Sequence, residues 1–270
     1  MKIRVIAGLS LAPLLLIVVL ALPEIFTAGA ASALVGIGAY ELLWRTGLVK
    51  YPRMVVYSVI MAMAVPFWSY YGMPFDWAYL CALVFFVLLF AELLFSHGQI
   101  PFATVGYCFV GGLLLPFMLS ALVRILNTAN GRFVIMVPFF MAFLSDIGAY
   151  FAGRFFGKHK MSPIISPKKT VEGMIGGILL DVVGLVLYGL LLDKCFSLQV
   201  NYFFAGIYGL LGAFGAVFGD LCFSVIKRQT GIKDYGNLIP GHGGVLDRFD
   251  SVIVVAPLAE MLLLLLPMVV

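Results

Sequence analysis

The sequence predicts an all-α, polytopic integral membrane protein, and three observations carry that prediction. Of its 270 residues, 63% are hydrophobic and only 11% charged, whereas a soluble domain is nearer half apolar and a quarter charged. Apolar runs of about 20 residues, the length that crosses a bilayer, recur along the whole chain. The basic residues gather between alternate runs, the asymmetry that marks cytoplasmic loops. Such a chain carries too little charge to cover its apolar surface in water, so a soluble fold is excluded.

About nine transmembrane helices are expected, at roughly 4–22, 25–44, 54–71, 77–96, 102–123, 132–153, 171–192, 203–226 and 251–270. The first, in "MKIRVIAGLSLAPLLLIVVLALP", also has the form of a secretory leader; the pattern continuing behind it makes a first membrane helix the simpler account. The next four are joined by short connections. The sixth runs into a basic loop at Arg154. The seventh follows Thr170, a good N-cap, with Ser166 and Pro167 making a helix start plausible just before it. The eighth ends in Lys227 and Arg228, and the ninth closes the chain. With the N-terminus in the cytoplasm, only Arg124, Arg132 and Lys194 of the 17 basic residues fall outside. The longer connections, 154–170 and 227–250, then both face the cytoplasm. A single membrane domain, 1–270, is expected, with scaffold helices over 1–125 and a catalytic region over 132–270 that carries both loops. It belongs in a cell (plasma or inner) membrane. The net charge of +4 follows from this bias and does not imply nucleic-acid binding. Cys81, Cys108, Cys195 and Cys222 have no metal or redox spacing and read as small core residues.

Acids at membrane depth are costly and face a cavity or a partner. Six lie within the expected helices: Glu41, Glu92, Asp146, Asp181, Asp220 and Glu260. Asp220 stands in "GAFGAVFGDLCFSVIKR", where helical rotation sets Asp220, Ser224 and Lys227 on one stripe. Gly212, Gly215 and Gly219 before it allow close approach of a helix or a ligand. Asp146 shares a face with Gly153, and reads as a site residue or as an Asp–Arg or Asp–Lys pair that orients helices. Glu41, Glu92, Asp181 and Glu260 carry no local motif and read as packing or dimer-contact residues.

Both loops suit phosphate. In "SPKKTVEG", Lys168 and Lys169 fall close to a helix N-terminus, where backbone N–H groups, the helix dipole and two ammonium groups favour an anion. The second loop is "KRQTGIKDYGNLIPGHGGVLDRFDS". It has no Walker pattern. Asp247 and Asp250, spaced i, i+3, meet at the start of the last helix if that helix begins near Val245. Clustered carboxylates suit Mg²⁺, which takes one or two carboxylates together with substrate phosphates. Lys227, Arg228, Lys233 and Arg248 add phosphate donors. Gly243 and Gly244 allow backbone to approach a phosphate chain. His242 reads as a phosphate donor, a proton shuttle or a turn residue bonded to a backbone carbonyl. The residues themselves therefore indicate a membrane-boundary site for a phosphorylated substrate and a divalent cation, without naming a reaction.

Residues 224–251 closely resemble the signature of the phosphatidate cytidylyltransferases, or CDP-diglyceride synthases: S-x-x-K-R, then K-D, then P-G-H-G-G-x-x-D-R-x-D. Ser224, Lys227, Arg228, Lys233, Asp234, Pro240, Gly241, His242, Gly243, Gly244, Asp247, Arg248 and Asp250 all match. "SDIGAYFAGRFFGKHK" and "SPKKTVEG" also look like family motifs, although Val171 stands where the family often has Trp. The resemblance implies transfer of CMP from CTP to phosphatidate, giving CDP-diacylglycerol and pyrophosphate in phospholipid biosynthesis. It also implies a homodimer, a Mg²⁺-dependent site open to the cytoplasm, and K⁺ as a possible second cation. By motif, Asp220 and Asp247 match the metal ligands, with Asp250 a third or outer ligand. Lys168, Lys169, Lys227 and Arg248 would hold the triphosphate or the lipid headgroup. Ser166 and Ser224 would donate hydrogen bonds to phosphate, and Asp146 would support them. Two rival readings remain: a CTP-dependent transferase or kinase acting on another membrane lipid, such as an ether-lipid phosphate or a polyprenol, and a cation-coupled transporter.

Overall fold

The computed structural model describes residue 13 and residues 16–72, 74–238 and 243–269. Seven of its helices are long and apolar enough to cross a membrane, and they coincide with the second to the eighth expected from sequence. They are α1 (Glu24–Tyr40, continuing as a π-helical turn, Glu41–Arg45), α2 (Pro52–Tyr71), α3 (Phe75–Phe95), α4 (Phe102–Leu126), α5 (Met136–Phe156), α6 (Val171–Phe196) and α7 (Tyr202–Gln229). Most of the first expected span, 4–22, lies outside the described residues. The ninth forms as α8 (Leu246–Leu265). It begins ahead of the expected 251, so its first turn carries Asp247, Arg248 and Asp250, and it is not among the seven apolar spans.

The connection 154–170 departs from the expected loop and helix start. It forms an antiparallel hairpin of β1 (Lys160–Ser162) and β2 (Ser166–Thr170). Proline biases the residue before it toward extended backbone and has no N–H to donate. Ser166-Pro167 therefore suits a two-stranded ribbon, where one side of each strand is unpaired. The helix starts only after Thr170, whose Oγ1 accepts from the Gly173 N–H at 3.1 Å. Glu172 in the same first turn accepts from the Lys158 and His159 N–H groups and lies 2.6 Å from His159 Nδ1, so both ends of the hairpin are tied to α6.

The chain forms two compact units. The first takes the described residues of Met1–Asn127 together with Gln229–Phe249. Its core is apolar, with Ala28, Leu43, Met54, Leu89 and Val123 buried. Ser32 ties α1 to α2 by donating to the Met63 carbonyl at 2.7 Å. Glu92, an acid expected to serve packing, accepts from the Tyr57 hydroxyl at 3.1 Å, joining α3 to α2. The described residues of 229–249 group with these N-terminal helices. The second unit takes Thr128–Arg228 and Asp250–Val270. There α5 and α6 run in backbone contact where Gly148 faces Gly176 and Gly177. The boundary between the units falls inside α8. Large apolar side chains such as Leu94, Phe95, Phe155 and Phe203 are exposed, as a surface in contact with lipid requires. Among the cysteines only Cys108 is buried; Cys195 is exposed, against the expectation of a core residue.

Candidate functional site

Two polar clusters contain most of the expected site residues, one in each unit. In the second unit the cluster is built on the C-terminal end of α7. Asp220 Oδ1 accepts from the Ser224 hydroxyl one turn on, at 3.1 Å, as the helical stripe requires. Its other oxygen, Oδ2, lies 2.5 Å from the Lys169 ammonium, which β2 carries in from the hairpin. This is a charge contact, without the alignment of a hydrogen bond. The hairpin is held there by Arg228, whose Nε donates to the Ile165 carbonyl at its tip, at 3.2 Å. Arg228, expected to meet phosphate, thus has a structural partner.

Asp250 enters the same cluster because α7 and α8 cross at a glycine. A Cβ on Gly219 would sit 2.8 Å from the Asp250 carbonyl oxygen, so a larger residue would push Asp250 away from Asp220. Ser251 reinforces the crossing by donating to the Ala216 carbonyl at 3.1 Å. Asp250 is half-buried, and one of its oxygens accepts from the Ser251 N–H at 2.8 Å. Burial first, then repulsion from Asp220, pushes its carboxyl up to about 7; the Lys227 ammonium opposes this, and Asp146 on α5 adds to it. Lys227 is itself buried. So Asp146, Lys169, Asp220, Ser224, Lys227 and Asp250 converge from the hairpin and three helices. Ser166 is half-buried at the start of β2, and Lys168 is exposed beside Lys169.

In the first unit the cluster is built around Asp247. Its Oδ2 accepts from the backbone N–H groups of Tyr235, at 2.8 Å, and Gly244, at 3.0 Å. Gly243 has φ +88, the left-handed region, and a Cβ there would meet Asp247 Oδ2 at 2.9 Å. The two described glycines of "GHGG" thus fold the loop around a protein carboxylate. His242 lies outside the described residues. Lys233 and Arg248 are exposed, positioned for solvent or a mobile ligand.

Sequence reasoning missed Glu41. It is 3% exposed, and its oxygens accept from the Val245 and Leu246 N–H groups at 3.1 and 2.9 Å. The available signal was an acid at membrane depth, one turn before a basic residue, Arg45; nothing local named its partners. Asp181, another acid without a motif, is fully buried on α6, and among the described residues neither its carboxylate oxygens nor the Ser145 hydroxyl on α5 has a hydrogen-bond partner.

Among the described residues no group of three or more His, Cys, Asp or Glu side chains is arranged to hold a metal unaided. The donor set does suit a hard divalent cation that shares its coordination with substrate. Asp220 and Asp250 are carboxylates close enough to repel. Mg²⁺ needs only one or two protein carboxylates when phosphates supply the rest.

The model of the cytidylyltransferase family matches residues 2–266. A protein of Staphylococcus aureus (strain COL) named phosphatidate cytidylyltransferase is 38% identical over 188 residues, 68% of this chain and 68% of the relative. Proteins of the same name from Staphylococcus epidermidis (strain ATCC 12228 / FDA PCI 1200) and Staphylococcus haemolyticus (strain JCSC1435) are also similar. The first is 37% identical over 188 residues, 68% of each chain. The second is 38% identical over 170 residues, 63% of this chain and 61% of its own.

Proposed function

Because the chain belongs to the cytidylyltransferase family, we propose that it transfers CMP from CTP to phosphatidate, releasing pyrophosphate and forming CDP-diacylglycerol. The observation that carries this reading is the meeting of Lys169, Asp220 and Ser224. They come from separate polar stretches of the sequence, and together they offer a carboxylate for a cation and an ammonium and a hydroxyl for phosphate.

In the proposed reaction a phosphate oxygen of phosphatidate forms a bond to the α-phosphorus of CTP. The bond from that phosphorus to the oxygen bridging to the β-phosphate breaks, and pyrophosphate carries the electron pair away. A phosphate monoester is largely ionised near neutral pH, so no general base is needed. Positioning and charge neutralisation are the protein's tasks. Lys168, Lys169, Lys227 and Arg248 are proposed to hold the triphosphate and the lipid headgroup, with Lys233 and Arg228 at the periphery. Ser166 and Ser224 donate hydrogen bonds to phosphate, and Asp146 supports the cluster. Asp220 and Asp247 are the proposed Mg²⁺ ligands, with Asp250 as a third or outer carboxylate. When bound, Mg²⁺ supplies Lewis-acid neutralisation of the phosphate oxygens. K⁺ is proposed as a second cation. We further propose nine spans, a cytoplasmic N-terminus and site, residence in a cell membrane, and a homodimer. A boundary location suits the substrates, since the acyl chains of phosphatidate stay in lipid while CTP arrives from water.

The test uses purified enzyme in mixed micelles of detergent and phosphatidate, with radiolabelled CTP. Lipid-phosphate-dependent pyrophosphate release with formation of labelled CDP-diacylglycerol is expected. Turnover only with an ether-lipid phosphate or a polyprenol, or cation flux without turnover, would replace the reading. Asp220→Asn and Asp247→Asn should each lower kcat/KM by about a hundredfold or more; a variant that folds and keeps wild-type Mg²⁺-dependent turnover is not a metal ligand.

A further inference from the structure

The end of α1 and the loop that leads into α8 are far apart in sequence, yet two side chains of one helical turn grip that loop at both ends. α1 closes in the π-helical turn Glu41–Arg45, and such turns are frequent at functional sites. Arg45 Nη2 donates to Asn237 Oδ1 at 2.5 Å, at the loop's start. Glu41, one turn earlier, takes the Val245 and Leu246 N–H groups at its end. These are orphan donors of the first turn of α8, which usually find a cap from their own segment. The carboxylate is built in closely: a Cβ on Gly244 would lie 2.5 Å from either Glu41 oxygen, and one on Gly236 would collide with Oε1. Leu246 packs toward Gly38, a turn before Glu41.

The grip bears on Asp247 through a shared residue. Gly244 lies against the Glu41 carboxylate, and its N–H donates to Asp247 Oδ2. The backbone fixed by Glu41 is therefore the backbone that orients Asp247. We infer that Glu41 is a positioning residue, which holds the Val245–Leu246 backbone while Arg45 holds Asn237, and so aims the Asp247 carboxylate. Its conservative replacement, Glu41→Gln, keeps size and shape but sets an amide donor against one of two backbone N–H donors. The inference rests on the proposed role of Asp247 in Mg²⁺ binding only for its effect on turnover, because the clasp itself can be read without turnover.

Amide hydrogen exchange over residues 243–247 is measured in detergent-purified wild type, Glu41→Gln and Arg45→Ala, without Mg²⁺. Exchange in this segment should quicken roughly tenfold in Glu41→Gln and less in Arg45→Ala, with α3 unchanged, since a donor that loses its partner loses its protection. In the phosphatidate assay, the Mg²⁺ concentration for half-maximal rate should rise about tenfold, the effect expected when an outer residue orienting a ligand is lost, while the KM for phosphatidate stays within about twofold. Gly244→Ala, which pushes on the same carboxylate, should reproduce both changes. Unchanged exchange and unchanged Mg²⁺ dependence in a folded Glu41→Gln would overturn the inference. If Glu41→Gln does not fold, Arg45→Ala and Gly244→Ala decide by the same readouts. A wild type inactive on phosphatidate would overturn the proposed function and leave the exchange result to judge the clasp alone.

Discussion

Asp250 is the residue whose surroundings set the clearest pH dependence. Burial and the Asp220 carboxylate push it up to about 7, against an ordinary value of about 3.9. The folded protein therefore holds a proton there that the unfolded chain has already lost. Stability from this group falls as pH rises through the window between those values, and is level above it. In Mg²⁺-free buffer the apparent Tm should drop between about pH 4 and 7. Asp250→Asn should flatten that drop, as read by thermal denaturation in detergent at each pH. A divalent cation needs the deprotonated form, so adding Mg²⁺ should stabilise the wild type more at pH 8 than at pH 6. Gly219 belongs to the same argument, since it lets α8 come near enough for the two acids to feel each other.

At the scale of elements, the hairpin and the start of α6 form one device. β2 presents Lys169 to Asp220, and the strand ends in the residue that caps the helix. Losing an N-cap costs about 1 kcal/mol. Thr170→Ala should therefore lower Tm by a few degrees and loosen the placement of Lys169, while Thr170→Ser, which keeps the hydroxyl, should restore both. Thermal melts of the two variants check this. The long helices were legible because apolar runs of membrane length have few other solutions. The hairpin was not: its strands are three and five residues long, too short for an alternating pattern, and its Lys-Lys pair read equally well as a basic loop. The π-helical turn of α1 left no mark in composition.

At the scale of the whole molecule, the apolar spans and the acids Asp220, Asp247 and Asp250 could be picked out from sequence, because charge among apolar residues is conspicuous. The partners of Glu41 could not. They lie 204 and 205 residues away, and no local spacing encodes a cap delivered from another helix. The role of the glycines was also only half legible. Closeness to an anion was expected; the anions the structure sets beside Gly243 and Gly244 are carboxylates of the protein itself. The proposed orientation makes a direct prediction. In a cysteine-free background, Lys158→Cys should react with an impermeant thiol reagent only in inside-out vesicles, and Lys194→Cys only in right-side-out ones. The reverse pattern would invert the topology.

The contact between Lys169 and Asp220 has a kinetic consequence. Under the proposed metal assignment, Lys169 is a competitor carried by the chain itself: a divalent cation arriving at Asp220 must displace an ammonium group. A displaced ammonium would be available to neutralise phosphate. If Asp220 holds Mg²⁺, the chain would trade some metal affinity for a lysine kept within reach of phosphate.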